Sequence, residues 1–245
     1  MKPRPNRGAA ANARPGLDPR LRNITASLDR LTKRVADRGL VATPDMSMKD
    51  IITHCGTKAA AGELNVFLSE GTWSFYEGFT LARGQVYFWG VPGATVFERH
   101  IDNSEPLLTV SGREVGLFGI RFDDAEEDTE ATIKVTGSRC EIKDCVFDDC
   151  YRAIDVSGGN AQRIDGNRVI ACRDTSYAIK VMNASTDGIM SNNTIEQASL
   201  TADIFFEDAT LRWAVVGNQT LNGTISHRGA DAHSVAGNPG TVTSR

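Results

Sequence analysis

The chain has 245 residues, of which 40% are hydrophobic and 24% charged, with a net charge of −4. That length suits one large domain or two small ones, and the acidic balance argues against nucleic acid as a bulk partner. No run of 18 apolar residues occurs, so no helix spans a membrane.

The first predicted element is an extended basic arm over residues 1–16. Its sequence, MKPRPNRGAAANARPG, holds three prolines and no large apolar side chain beyond its initial methionine. It cannot build a core, and it reads either as a disordered tail or as an arm that docks on a partner. No apolar stretch follows its charges, so a secretory signal peptide is not expected. Residues 1–20 carry a net charge of +4, which leaves −8 on the rest. Arg4, Arg7 and Arg14 are the candidate anchor residues.

A helix is predicted over residues 17–40. Asp18 can cap it, Pro19 suits its first position and Gly39 closes it. Leu17, Leu21, Ile24, Leu28, Leu31 and Val35 recur at alternating spacings of four and three, an a/d seam. Two readings stay open, an amphipathic helix lying on its own domain and a short coiled coil joining copies of the chain. From residue 41 the character changes. TPDMSMKDIITHC predicts a short helix capped by Asp45 or Ser47, and ELNVFLSEGTWSF predicts a strand, a glycine turn and a strand.

Beyond that, every segment is short, β-rich and punctuated by glycine or asparagine, and it repeats. One column of turn residues runs Ile120, Cys145, Asn167, Asn193, Asn218 and a degenerate Asn238, spaced 25, 22, 26, 25 and 20 apart. Apolar residues flank each of them, for example Ile142 and Phe147 around Cys145, or Ile164 and Val169 around Asn167. The fit is weaker around Asn218, where Thr220 takes the second apolar place. A second column runs Ile133, Ile154, Ile179, Ile204 and Ile225, spaced 21, 25, 25 and 21 apart. Two ladders sharing one period mean a repeat architecture. Leucine is too scarce for leucine-rich repeats, whereas stacked coils of parallel strands need only short period-2 segments. Asparagines stacked at about 4.8 Å can hydrogen-bond their amides along the axis, so an inward turn that carries asparagine satisfies its own buried polar group.

With these columns the chain resembles the right-handed parallel β-helices of the pectate-lyase-like kind, and among them phage tailspike and virion spike proteins. The resemblance rests on Asn167, Asn193 and Asn218, with Cys145 departing from the pattern, and on a front of MKDIITHC, VFLSEGTWSF and GQVYFWGVPGATVF, the last as first coil. It covers about residues 45–244. It implies an all-β solenoid over residues 41–245 with a capping helix, and an asparagine ladder in the tight turn between the second and third strands of each coil. It implies little about activity, because this fold hosts lyases, hydrolases, epimerases, adhesins and phage spikes.

Candidate chemistry is sparse. Asp123 and Asp124 lie three and four residues after Ile120, and Asp148 and Asp149 lie three and four after Cys145. In register, the two pairs stack on neighbouring coils. They read as a solvated acidic edge, a cation site or a catalytic pair. Arg139, Lys143, Arg152, Arg163, Arg168 and Arg173 are scattered, with no motif joining one to the acidic residues as a lyase base would need. His54, His100, His227 and His233 show no metal-ligand spacing. Trp73, Trp89 and Trp213 share no column, and Trp73 and Trp89 read as core or interface residues. Tyr151 and Tyr177 are candidate surface stacking residues.

The five cysteines are an odd number without a CxxC pair, which argues against zinc and for reduced thiols. Cys150 and Cys172 each lie five after the turn column, as small apolar fillers that a disulfide might bridge. No cofactor or metal is expected. The function expected is a phage-like virion component, a small homotrimeric spike, fibre or decoration protein. Its expected partners are other virion proteins, reached through residues 1–40, and a host surface glycan. The alternative is a polysaccharide lyase or hydrolase.

Overall fold

The computed structural model describes residues 39–51, 53, 63–100, 105–124, 130–172, 177–196, 202–207, 210–220, 224–227, 234–238 and 241–244. The arm, with Arg4, Arg7 and Arg14, lies outside the described residues. So does the a/d seam, Leu17, Leu21, Ile24, Leu28, Leu31 and Val35.

The first strands set the pattern: β1 is Gly39–Ala42, β2 Leu64–Leu68, β3 Gly71–Phe75 and β4 Phe79–Leu81. In β2 buried Leu64, Val66 and Leu68 alternate with partly exposed Asn65 and Phe67, the period-2 mark of a strand with one face on a core. The short segments between strands hold turn residues, so the chain bends after two to six residues instead of extending. β2, β3 and β4 form one complete coil, and each later coil adds a strand to each of three sheets. Among the described residues the first sheet, which contains β1 and β2, has nine strands, the second, with β3, has seven, and the third, with β4, has eight. All pairings are parallel, and the coils wind as a right-handed solenoid.

Side chains of similar type stack from coil to coil. Ile142 pairs in register with Leu117 and Ile164, Met190 with Ile164 and Val215. Ile133, Ile154, Ile179, Ile204 and Ile225 form one unbroken column. The second sheet stacks Phe97, Phe122 and Phe147, with ring centroids 5.6 and 5.0 Å apart. These columns are buried and form one continuous core. Each such side chain contributes on the order of 1.5–3 kcal/mol of burial.

Three features differ from the sequence expectations. β1 starts at Gly39, so the coils begin two residues before 41, and a helix cannot run to 40. Gly39 is there for close strand approach, since a Cβ would sit 2.3 Å from the Asn65 carbonyl oxygen. The first complete coil is the one before GQVYFWGVPGATVF. The helical turn at residues 48–51 is capped by Ser47, not Asp45: the Asp50 amide donates to Ser47 Oγ at 3.1 Å, and that hydroxyl donates to the Asp50 carboxylate at 2.7 Å.

Candidate functional site

From Gly119 onward, the turn that closes each first-sheet strand is built the same way. The residue before the turn column is left-handed throughout: Gly119, Asp144, Gly166, Asn192, Gly217 and Gly237 all have φ between 54° and 68°. Only glycine, asparagine and aspartate take that conformation readily, and only they occur. The following side chain then turns inward. Asn167 Nδ2 donates to Asn193 Oδ1 at 2.9 Å, and Asn193 Nδ2 donates to Asn218 Oδ1 at 2.8 Å. Asn218 Nδ2 in turn donates to Asn238 Oδ1 at 3.1 Å, which makes Asn238 a fourth rung. Each amide also donates to a carbonyl of the coil before, as Asn193 does to Ile164 at 3.0 Å. Cys145 takes the next position, where its thiol contacts the Leu117 carbonyl oxygen at 3.6 Å and its backbone N–H donates to Asn167 Oδ1.

The four acidic candidates separate. Asp123 and Asp148 are in register on adjacent coils, and Arg121 lies against both, 2.7 Å from Asp148 and 3.6 Å from Asp123. Partial burial raises the Asp123 carboxyl, Arg121 opposes the shift and Asp148 adds to it. Asp124 turns inward instead. It pairs with Arg99 at 2.5 Å, both side chains fully buried, and accepts a hydrogen bond from Thr132 at 2.8 Å. Asp149 sits in a left-handed turn with φ 48°. This set is a surface clamp on one arginine and a buried ion pair on another. Among the described residues no three His, Cys, Asp or Glu side chains converge as a metal ion would need.

The scattered cations also have partners. Arg139 meets Glu114, Arg152 meets Asp155, Arg163 meets Asp165, Lys143 approaches Asp165 and Arg168 meets Glu196. Arg173, His54 and His233 lie outside the described residues, as does the side chain of His227. His100 is exposed, 3.1 Å from Glu98 and stacked on Tyr76. Cys150 and Cys172 are buried thiols not joined by a disulfide, with sulfurs 3.5 Å apart. Burial pushes the Cys140 thiol up to about 11 and the Cys145 thiol up to about 12, so neither is a nucleophile at neutral pH. Tyr177 stacks on Phe205 at 4.3 Å, and Arg152 lies over the Tyr151 ring.

Two features carried no motif in the sequence. Asp203 is buried between Ala202 and Ile204, with neither carboxylate oxygen hydrogen-bonded among the described residues, and burial pushes its carboxyl up to about 7. The second feature is a groove of about 550 Å³ on the outer face of the first sheet. Its floor is Tyr87, Trp89 and Phe118, and its rim carries Glu63, Glu141, Asp144 and Lys143. Trp89 is thus outside the core, 40% exposed, whereas Trp73 is buried.

Comparison with known proteins bears on the architecture. A family model described as "Right handed beta helix region" matches residues 84–238. No curated protein matches the chain. Among solved structures, a pectin methylesterase in complex with a hexasaccharide is similar at 13% identity, over 83% of this chain and 80% of that one, with a TM-score of 0.48. The ORF18 protein of Geobacillus virus E2 is similar at 10% identity and a TM-score of 0.49; the likeness covers 95% of this chain but 65% of that one. An alginate lyase from Paenibacillus sp. strain FPU-7 is similar at 11% identity, over 84% and 97% of the two chains, with a TM-score of 0.40.

Proposed function

Because the chain belongs to the right-handed β-helix family, whose scaffold carries unrelated activities, we propose its role from its own residues. It is a structural component of a phage-like virion, a small homotrimeric spike, fibre or decoration protein held to the particle through residues 1–40. The observation that carries this role is the state of the coil surface. Asp123 and Asp148 flank Arg121, Asp124 is locked on Arg99, and the arginines along the coils meet carboxylates of the same or the next coil. A hydrolytic pair needs one carboxyl held protonated and another free at a cleft. Charge matched between stacked coils suits a stiff shaft instead. The basic arm and the a/d seam then supply attachment and association.

The test is incorporation. Purified virions carrying full-length protein, or protein lacking residues 1–16, are compared by gel and mass spectrometry. Full-length protein in the particle, and truncated protein folded but absent from it, is the expected result. Normal incorporation of the truncated form removes the anchor role, and absence of full-length protein from virions overturns the virion role. Release of reducing sugar from capsular polysaccharide by the purified protein would favour a depolymerase instead.

A further inference from the structure

The groove on the first sheet is a built surface. Gly116 lies opposite Tyr87 in the register. A Cβ at Gly116 would come 2.4 Å from the Phe118 ring and 2.7 Å from the Tyr87 ring, so this glycine lets both rings lie down across the sheet. Trp89 stacks on Phe118, with centroids 4.1 Å apart and planes within 14°. Its indole N–H donates to Asn65 Oδ1 at 2.8 Å, which fixes the ring. The result is an apolar ledge at the surface whose orientation is set before anything binds.

The rim has a surplus of negative charge. Glu63, Glu141 and Asp144 face one ammonium, Lys143, which approaches Asp165 at 3.9 Å. Glu141 has Arg163 at 3.6 Å, while Glu63 and Asp144 make no ion pair among the described residues. Several carboxylates elsewhere on the coils are matched to arginines, as Asp187 is to Arg212 and Glu196 to Arg168. Unmatched carboxylates beside exposed aromatic rings fit an extended ligand that offers flat apolar rings and guanidinium groups together. Proline packs on such rings in extended form, and arginine interacts with both ring faces and carboxylates.

The chain carries that ligand in its own sequence. Residues 1–16 hold four cationic side chains, three prolines and no acidic one, and PRPNR from Pro3 to Arg7 concentrates them. In a polyproline II conformation, residues three apart lie on one side about 9 Å apart, as Arg4 and Arg7 would. The groove crosses neighbouring coils stacked about 4.8 Å apart, so two arginines so spaced reach across two coils of the rim. We propose that Pro3, Arg4, Pro5 and Arg7 of a second copy of this chain dock in the Tyr87–Trp89–Phe118 groove, with the prolines on the ledge and the arginines on Glu63, Glu141 and Asp144. The charge opposition between a +4 segment and a −8 remainder then links copies. This contact draws on the same arm as the proposed particle anchor, but the crosslink below reads copies of the chain alone, so its failure is distinct from failure of the virion role, which incorporation of full-length protein tests.

Copies bearing Asn6→Cys are co-expressed with copies bearing Glu63→Cys, both otherwise full length. Mild oxidation should give a heterodimer on a non-reducing gel, with the 6–63 link identified by mass spectrometry. Each link joins two chains by construction. Combining Glu141→Gln and Asp144→Asn on the groove copy should cut the yield by about tenfold, as should about 0.5 M salt. These substitutions are at surface positions, and circular dichroism checks that each variant keeps its fold. A control cysteine at exposed Gln219 should give no link above background. Folded copies that give no 6–63 link overturn the proposal. So does equal linking at Gln219, or a yield unchanged by neutralising the rim.

Discussion

At the scale of single residues, one buried polar column is satisfied by its own copies together with backbone groups of the neighbouring coils. Asn193 Oδ1 accepts from both the side chain and the backbone N–H of Asn167, and its Nδ2 donates to both Asn218 and Ile164. Asn193→Leu removes all of these at once and leaves buried donors and an acceptor unpaired. The expected loss is about 1–3 kcal/mol for each group left without a partner. Thermal and urea unfolding would measure it, and an unchanged midpoint would show that the ladder contributes nothing. Asp203 is the opposite case, a buried carboxyl with no such partner among the described residues. Its folded pKa of about 7 lies above the ordinary 3.8, so its charged form is the one folding disfavours. Stability is therefore unaffected by this group below about pH 4, falls as pH rises from about 4 to 7, and stays lowered above that, by up to a few kcal/mol. Asp203→Asn should match the wild type at about pH 4 and exceed it at about pH 8 in chemical denaturation. A variant less stable at the higher pH would mean that the carboxylate has a favourable partner.

At the scale of the repeating element, each strand end is fixed by columns as much as by pairing. The residue just ahead of the first-sheet strands points inward in successive coils: Cys140, Gln162, Gly188 and Trp213. Gln162 donates to the Gly137 carbonyl at 2.7 Å, and Trp213 donates to that of Ser185 at 3.3 Å. The Trp213 indole fits because Gly188 has no side chain, since a Cβ there would come 2.5 Å from three of its ring atoms. Neighbouring coils thus exchange volume, one giving up what the next fills. Gly188→Val should cost about 1–3 kcal/mol and red-shift tryptophan emission, as overpacking does. The same change in a Trp213→Ala background should cost much less, and the double-mutant cycle measures the coupling. Additive effects would mean that the two positions do not share this space.

At the scale of the whole molecule, the coils share one continuous core, and association of chains is a separate question. The seam from Leu17 to Val35 is expected to join three chains. Light scattering of full-length protein should give a trimer at micromolar concentration. Substituting Leu21, Leu28 and Leu31 with Ser should lower the mass without changing the strand signal in circular dichroism. A monomer in the unsubstituted protein would remove the trimer from the proposed role. The groove contact acts at this same scale, because it converts the charge asymmetry of one chain into a contact between chains.

The sequence by itself determined the coil register. The isoleucine and asparagine columns, their spacing and the alternation around them are local patterns, and stacking requires that each coil repeat them, so the period is visible without coordinates. It determined the strand–glycine turn–strand of β2 and β3 for the same reason. The left-handed column from Gly119 to Gly237 was equally open to reading, as a glycine, asparagine or aspartate before every turn residue. What only the tertiary structure decided is where a side chain beyond the repeat goes. Asp123 and Asp124 are adjacent in sequence, yet one faces outward and the other is buried on Arg99, a partner 25 residues earlier. Trp73 and Trp89 look alike as residues of the first coils, yet one is core and the other a surface ledge, because alternate positions on a strand face opposite sides. The groove is made by Asn65, Trp89, Gly116 and Glu141, which fall on four successive coils. Residues that far apart in sequence carry no shared local pattern, and only the stacking distance brings them to one surface.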